Sequence, residues 1–425
     1  MINIKRFGRL LLCLILEHQI RVLRRRYQFT IVAVAGSVGK TSTKLAIAEV
    51  LSAEKRVAYQ KGNYNDRLTV PLVVFGQDRP VSLFNVGGWL KVLRRNQQII
   101  RKGYPYDIAV VELGTDGPGQ IAEFAYLKPD ISIVTAVAPE HMEYFGTLDA
   151  VAKEELAVAS FSKQLLVNAD DVDGKYRLGL SDSRSYALEA NADFSAEYHL
   201  TDDLRGEAVT FHLHGKSHKA QLQYLGAHGV KVVLGAVAVA DMLGMDVKKV
   251  INAVQKLVPF AGRMQVLAGK YGSTIIDDSY NSSPLAAKAA LDVLYGSKAS
   301  KRIALLGSMN EMGESSQAAH EEVGNYCDPS KLAVVATVGS EANEYLAPAA
   351  ARRGCNVMEF TSPYDAGEWA KKQLASGVVI LAKGSQNGVF VEEALKSLLA
   401  DPADEAKLVR QSKVWLRQKA RQFPR

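Results

Sequence analysis

The 425-residue chain is 48% apolar and 23% charged, proportions that exclude general disorder and a fibrous repeat. Its length argues for two or three domains. Its net charge of +7 is concentrated at the ends: residues 1–30 carry seven basic side chains against Glu17 alone, and the last twenty carry seven and no acid. Such ends suit a membrane surface, an acidic partner or simply solvated helix faces. Nucleic acid is disfavoured, because no aromatic-rich recognition motif accompanies the charge. Cys13, Cys327 and Cys355 show no CxxC spacing, so neither a zinc site nor a disulfide framework is supported, and a reducing, cytoplasmic setting fits best.

In chain order, residues 1–28 form a basic amphipathic segment. Its apolar run, Leu10–Leu16, is far short of the ~20 residues of a spanning helix, and no small-residue cleavage site follows. Leu12, Leu16, Ile20 and Leu23 recur at helical spacing among arginines. They predict a helix lying on its own domain, on a partner chain or on the inner face of a membrane. From Phe29 the runs FTIVAVAG, DIAVVELG and ISIVTAVAP read as strands buried on both faces, separated by helical patterns such as TSTKLAIAEVLSAEK. This alternation predicts an α/β domain over 29–260, built on a mostly parallel sheet. Residues 194–226 alternate apolar and polar like an antiparallel meander. A second α/β series, with STIIDDS, RIALLGS, KLAVVATVGS and GVVILAKGS, predicts a second domain over 261–425.

The first strand empties into AGSVGKTS. Gly36 and Gly39 allow backbone N–H groups, with those of Ser37 and Ser42 nearby, to curl around phosphate oxygens at a helix start. Lys40 can reach the outer phosphates and the Thr41 hydroxyl can serve Mg²⁺. The pattern is G-x-x-G-K-T, with Val34 where the longer motif has its first glycine. A nucleoside triphosphate is the expected ligand. Glu112 and His141 follow later strands, so they belong at the same sheet edge and could bind a divalent metal. Taken singly, each is more often structural.

AGSVGKTS, KGNYNDRLTVP, VVELGTDGPGQI, PEHMEYFG, GRM, DDSYNSSP, LGSMNEMGE and KGS recur in an order that resembles the Mur ligases of peptidoglycan synthesis. The MurF type, which adds D-alanyl-D-alanine, is the most similar. The resemblance spans roughly residues 30–400. It implies a central P-loop ATPase domain, a Rossmann-like C-terminal domain, and an acid–amino-acid ligase that uses ATP and Mg²⁺ to form an acyl phosphate, which an amine then attacks. It also implies that Lys40 holds phosphates, Thr41 and Glu112 one metal, and His141 a second. Asn63 and Asn65 would line the acyl-substrate side, and Arg263 would approach the γ-phosphate. Asp278, with Tyr280 and Asn281, would hold the nucleoside, and Lys383 would lie near the amino substrate. A turn cap at Asp278 and an Asx turn at Asn281 are the structural alternatives.

Four departures qualify this expectation. The family's carbamylated lysine, some fourteen residues after the histidine, falls on Glu155. This residue is expected to supply a native carboxylate for the second metal, with Lys153 as a slipped carbamate the lesser option. Gly229 and Val232 stand where asparagines contact the base. Ser308 and Gln386 replace an aspartate and an arginine near the amino substrate. The segment before the first strand is also too short for a sugar-nucleotide domain. The acceptor is therefore expected to be held differently. The alternatives are another Mur-like reaction, polyglutamyl or cyanophycin-like, or an ATP-binding subunit that needs a partner chain.

Overall fold

A computed structural model describes residues 2–424 except 63, 181 and 200, with side chains from residue 6 onward. Two sheets organise the chain. The first contains β1 (Thr30–Ala35), β2 (Val57–Ala58), β3 (Ile108–Glu112), β4 (Ile131–Val134), β5 (Gln164–Asn168), β6 (Ser183–Ala187), β7 (Phe194–His199), β8 (Glu207–Leu213) and β9 (Lys216–Leu222). Their order is β2-β3-β1-β4-β5-β6-β7-β8-β9. Pairing is parallel from β2 to β7 and antiparallel through β8 and β9. The meander thus extends the same sheet. The strands at its centre are buried along their length save for Thr30 at the start of β1, because helices cover both faces.

The second sheet contains β10 (Gln265–Ala268), β11 (Thr274–Asp278), β12 (Lys301–Gly307), β13 (Val334–Val338), β14 (Val357–Phe360) and β15 (Val378–Lys383), in the order β10-β11-β15-β12-β13-β14. Only the β10–β11 pair is antiparallel. Each sheet has its own apolar clusters.

Helix α1 (Ile2–Arg26) packs on the first domain through Leu16, Ile20 and Leu23, all fully buried. Their spacing puts one side chain per turn on the buried face. Polar ties fix the helix further: buried Glu17 accepts from Arg67 at 2.6 Å, and Arg24 bridges the Phe29 carbonyl and Asp130 at 2.6 and 3.1 Å. Helix α2 (Lys40–Leu51) follows β1, α3 (Val70–Val74) is short, and α4 (Val86–Lys102) lies beside α1. Among the described residues no helix is long and apolar enough to cross a membrane.

Candidate active site

The β1–α2 turn is shaped by two glycines with positive φ, Gly36 at 118° and Gly39 at 87°. A Cβ on Gly36 would collide with the Thr135 side chain and backbone. Thr135 clamps the turn from β4 by donating to the Val38 carbonyl at 2.6 Å, while Ser37 Oγ accepts from the Ala138 N–H at 3.1 Å. Gly39 caps α2 without a side-chain acceptor. The first amides of α2 therefore keep donors free for an anion.

Three carboxylates surround the turn. The Lys40 ammonium donates to Ser37 O at 3.2 Å and to Glu140 at 3.3 Å, and lies 3.8 Å from Glu155. Burial pulls its pKa down, but Glu140, Glu155 and Glu112 outweigh burial and hold it above the ordinary lysine value. Glu155, on α6 (Leu148–Leu156, after the short α5, Met142–Phe145), is buried and accepts from the Gly36 N–H at 2.7 Å. Burial pushes its carboxyl up to about 7, against the pull of Lys40 and of the Gly36 N–H. Lys153 is exposed, so that option for a carbamate is turned away from the turn. The neighbouring Glu154 binds the Gly119 and Ile121 amides at 2.6 and 2.7 Å and so fixes the loop after β3.

Glu112, at the end of β3, accepts from Thr41 at 3.2 Å and Asn65 at 3.4 Å, both through Oε1. Its Oε2 faces the buried Lys44 ammonium at 3.1 Å and otherwise takes no hydrogen bond. The sequence reading passed over Lys44 and Glu140. The first sits one helical turn beyond Lys40, and the second precedes His141 within a motif already singled out. Asn63 lies outside the described residues.

His141 sits at φ 51° before α5. Its Nδ1 is 3.2 Å from Glu311 of the second domain, and its Nε2 is 3.9 Å from Asp116 and from Glu140. Among the described residues no three His, Cys, Asp or Glu side chains already converge as a cation cage. A cation here would thus share its ligands with phosphate oxygens and with the Thr41 hydroxyl. The Glu112 carboxylate with the Thr41 hydroxyl beside it, and the free α2 amides, fit Mg²⁺ and a triphosphate respectively.

A cleft of about 500 Å³ runs between the domains, with Lys40, Thr41, Glu112 and His141 on one wall and Arg263, Tyr280 and Asn281 on the other. The Arg263 guanidinium stacks 4.3 Å from the Tyr280 ring centroid. Gln386 and Asn65 also line it, as does Arg9 from α1. Beside it lies a smaller, mainly apolar pocket of about 160 Å³ bordered by Gly39, Ser42, Tyr224, His228, Gly229 and Val232. Burial lowers the His228 pKa, which favours the neutral imidazole on this wall. Asp278 and Lys383 reach this pocket rather than the cleft. They pair at 3.2 Å, and burial lowers the Lys383 pKa. Lys383 also donates to the Asn281 carbonyl. Ser308 is engaged structurally: its hydroxyl accepts from the Ala342 N–H at 3.0 Å and its carbonyl from Ser385 at 2.8 Å.

Comparison with known proteins adds identity to this geometry. The family description "Mur ligase middle domain" matches residues 34–240, and "Mur ligase, glutamate ligase domain" matches 262–386. A Bacillus subtilis protein named "UDP-N-acetylmuramoyl-tripeptide--D-alanyl-D-alanine ligase" is 26% identical over 383 residues, covering 88% of this chain and 76% of that protein. A Mycobacterium tuberculosis (H37Rv) protein of the same name is 31% identical over 323 residues, covering 72% of this chain but 58% of its own length. The crystal structure of Thermotoga maritima MurF in complex with ADP superposes with a TM-score of 0.73 at 22% identity, covering 92% of this chain and 83% of that one. An Acinetobacter baumannii MurF structure gives the same score and identity over 89% and 77%.

Proposed function

We propose that this chain, which belongs to the Mur ligase family, is an ATP-dependent acid–amino-acid ligase of the MurF type acting in peptidoglycan precursor synthesis. The observation that carries the proposal is the cleft where Lys40, Glu112 and His141 of one domain face Arg263 and Tyr280 of the other. The phosphates of ATP would lie against the Gly36–Lys40 turn and α2, and the base in the smaller apolar pocket. Thr41 and Glu112 would hold one Mg²⁺, and His141 with Glu155 a second. When bound, these ions neutralise charge on the transferring phosphoryl group.

The chemistry follows from the weakness of a carboxylate as an electrophile. A carboxylate oxygen of the acceptor takes the γ-phosphoryl group, and the bond to ADP breaks. The amine then attacks the acyl carbon, expelling phosphate and leaving an amide. The cleft's part is alignment: Lys40 and Arg263 hold the phosphoryl group from opposite domains while Asn65 lines the acyl side. Closure of the domains would keep water from the acyl phosphate.

The named relatives join D-alanyl-D-alanine to a UDP-muramoyl tripeptide, and that pair is the first candidate here. Gln386 in the cleft supplies no fixed positive charge for a substrate carboxylate, which favours testing other small peptides and amino acids beside it. A cytoplasmic enzyme resting on the inner membrane face is the setting proposed. The test is mass spectrometry of products with UDP-muramoyl tripeptide, ATP, Mg²⁺ and a panel of amino substrates. A new amide with stoichiometric phosphate supports the ligase. Nucleotide binding with no coupling across the panel counts against it.

A further inference from the structure

Helices α1 and α4 run side by side in the same direction. Gln19 donates to the Leu93 carbonyl at 3.0 Å and accepts from Asn96 at 2.9 Å, while Arg26 donates to the Arg101 carbonyl at 3.3 Å. Cys13 and Leu16 share a buried cluster with Trp89 and Val92. This register brings the first turns of α1 beside the segment that enters α4. Large apolar side chains stand out in solvent there: Phe7, Leu10 and Leu14 from α1, and Val81, Leu83 and Val86 from the other segment. Val81 is 99% exposed and Phe7 68%, so the cluster is no rim of the core.

Apart from Asp66, which pairs with Arg9, the charge around this tip is mainly basic. Residues 79–102 carry six basic side chains and no acid, and α1 carries seven with Glu17 as its one acid. Glu17 is buried and bound by Arg67 at 2.6 Å and Arg21 at 3.4 Å, so its charge is taken up by those two arginines. Arg6, Arg9, Arg94 and Arg95, all exposed, lie on the same stretches as the apolar side chains. Exposed apolar groups ringed by arginine match an interface whose outer layer is anionic and whose inner layer is hydrocarbon. A second copy of this chain would bring two predominantly basic surfaces together, which repulsion opposes.

We infer that the paired N-terminal halves of α1 and α4 form a docking surface for an anionic lipid bilayer, with the apolar tip entering below the headgroups and the arginines binding phosphodiesters. The surface borders the cleft, because Arg9 on α1 both lines it and pairs with Asp66 at 3.4 Å. Docking would thus set the mouth of the cleft near the membrane. The inference stands on this surface alone, and its test reads no turnover, so it holds or fails apart from the ligase reading.

The experiment is flotation of the full chain with vesicles of phosphatidylcholine alone or mixed equally with phosphatidylglycerol. One variant carries Phe7→Ser, Leu10→Ser, Val81→Ser and Val86→Ser, and another Arg6→Gln, Arg94→Gln and Arg95→Gln. Recovery with the mixed vesicles, little with phosphatidylcholine, and a loss of roughly tenfold or more in each variant are expected. Thermal unfolding should stay unchanged, since every altered side chain is exposed; if the serine variant fails to fold, the glutamine variant decides. Equal recovery of variants and wild type overturns the inference. So does absence of wild type from the mixed vesicles, or a serine variant that only dissociates a protein complex.

Discussion

Replacing Lys44 by methionine isolates the electrostatics on which the proposed metal site depends. Lys44 is 1% exposed, and its ammonium lies 3.1 Å from Glu112 Oε2 and donates to the Gly62 carbonyl at 3.3 Å. Thr41 and Asn65 serve only the other oxygen. Methionine fills the space without the charge and strands a buried carboxylate oxygen, a loss of about 3–5 kcal/mol. For a domain of this size, each kcal/mol moves the unfolding temperature by ~2–4 °C, so a fall of roughly 6–20 °C is expected. Scanning calorimetry without nucleotide or metal reads it directly. Adding Glu112→Gln to Lys44→Met should recover most of the loss, because the amide leaves no unpaired charge. Mg²⁺ with a non-hydrolysable nucleotide should rescue the single variant and not the double. A single variant melting within ~2 °C of wild type, or a double variant less stable than the single, refutes the reasoning.

Glu155→Gln gives a pH signature. The folded carboxyl, pushed up to about 7 by burial, binds its proton more tightly than the unfolded chain does. Wild-type stability is therefore intact near and below the ordinary carboxylate value and is lost as pH rises toward 7, by up to about 3 kcal/mol. The neutral amide escapes that loss, so metal-free Glu155→Gln should melt like wild type near pH 5 and higher at pH 8, while substrate-dependent phosphate release falls; no gain at pH 8 would count against the burial argument. Lys40→Ala should lower phosphate release by ~10²-fold or more with the fold retained, checked by coupled assay and calorimetry. Gly36→Ala combines positive φ with collision against Thr135, and should cost about 1–3 kcal/mol and abolish the rise in melting temperature that nucleotide gives wild type.

The central strands were legible because each is a short, continuous β-branched run, a local signal that burial on both faces demands. The phosphate turn was legible for a similar reason: its glycines and lysine are contiguous. Strands β2, with two residues, and β6, SRSYA, carry no such run. Their assignment comes from the neighbours they pair with, which lie far off in sequence. The same holds for the ends of α1. The leucine spacing marked its buried face, but Gln19 meets Asn96 across a separation no periodicity reveals. The loop tip beside α1 therefore could not be foreseen from residues 1–28 alone. Lys383 shows a subtler gap: motif order put it near the amino substrate, whereas its burial against Asp278 directs it to the smaller pocket.

Glu155 illustrates how a shorter side chain can take the proposed place of a longer one. A carbamylated lysine delivers its carboxylate from a long, flexible stem, so its backbone can stand well back from the phosphate turn. Glutamate has only two methylenes, and the helix that bears it must come closer. The contact between Glu155 Oε2 and the Gly36 N–H, 2.7 Å, measures that approach. Such proximity removes the carboxyl from water, and the result is the rise in its pKa. Lys40 at 3.8 Å offsets part of that penalty. A divalent ion would offset the rest by taking the proton's place. On this argument the native carboxylate frees the site from dependence on CO₂ but ties metal affinity to pH near 7. Removing bicarbonate should then leave activity unchanged, whereas lowering pH below 7 should weaken Mg²⁺ activation.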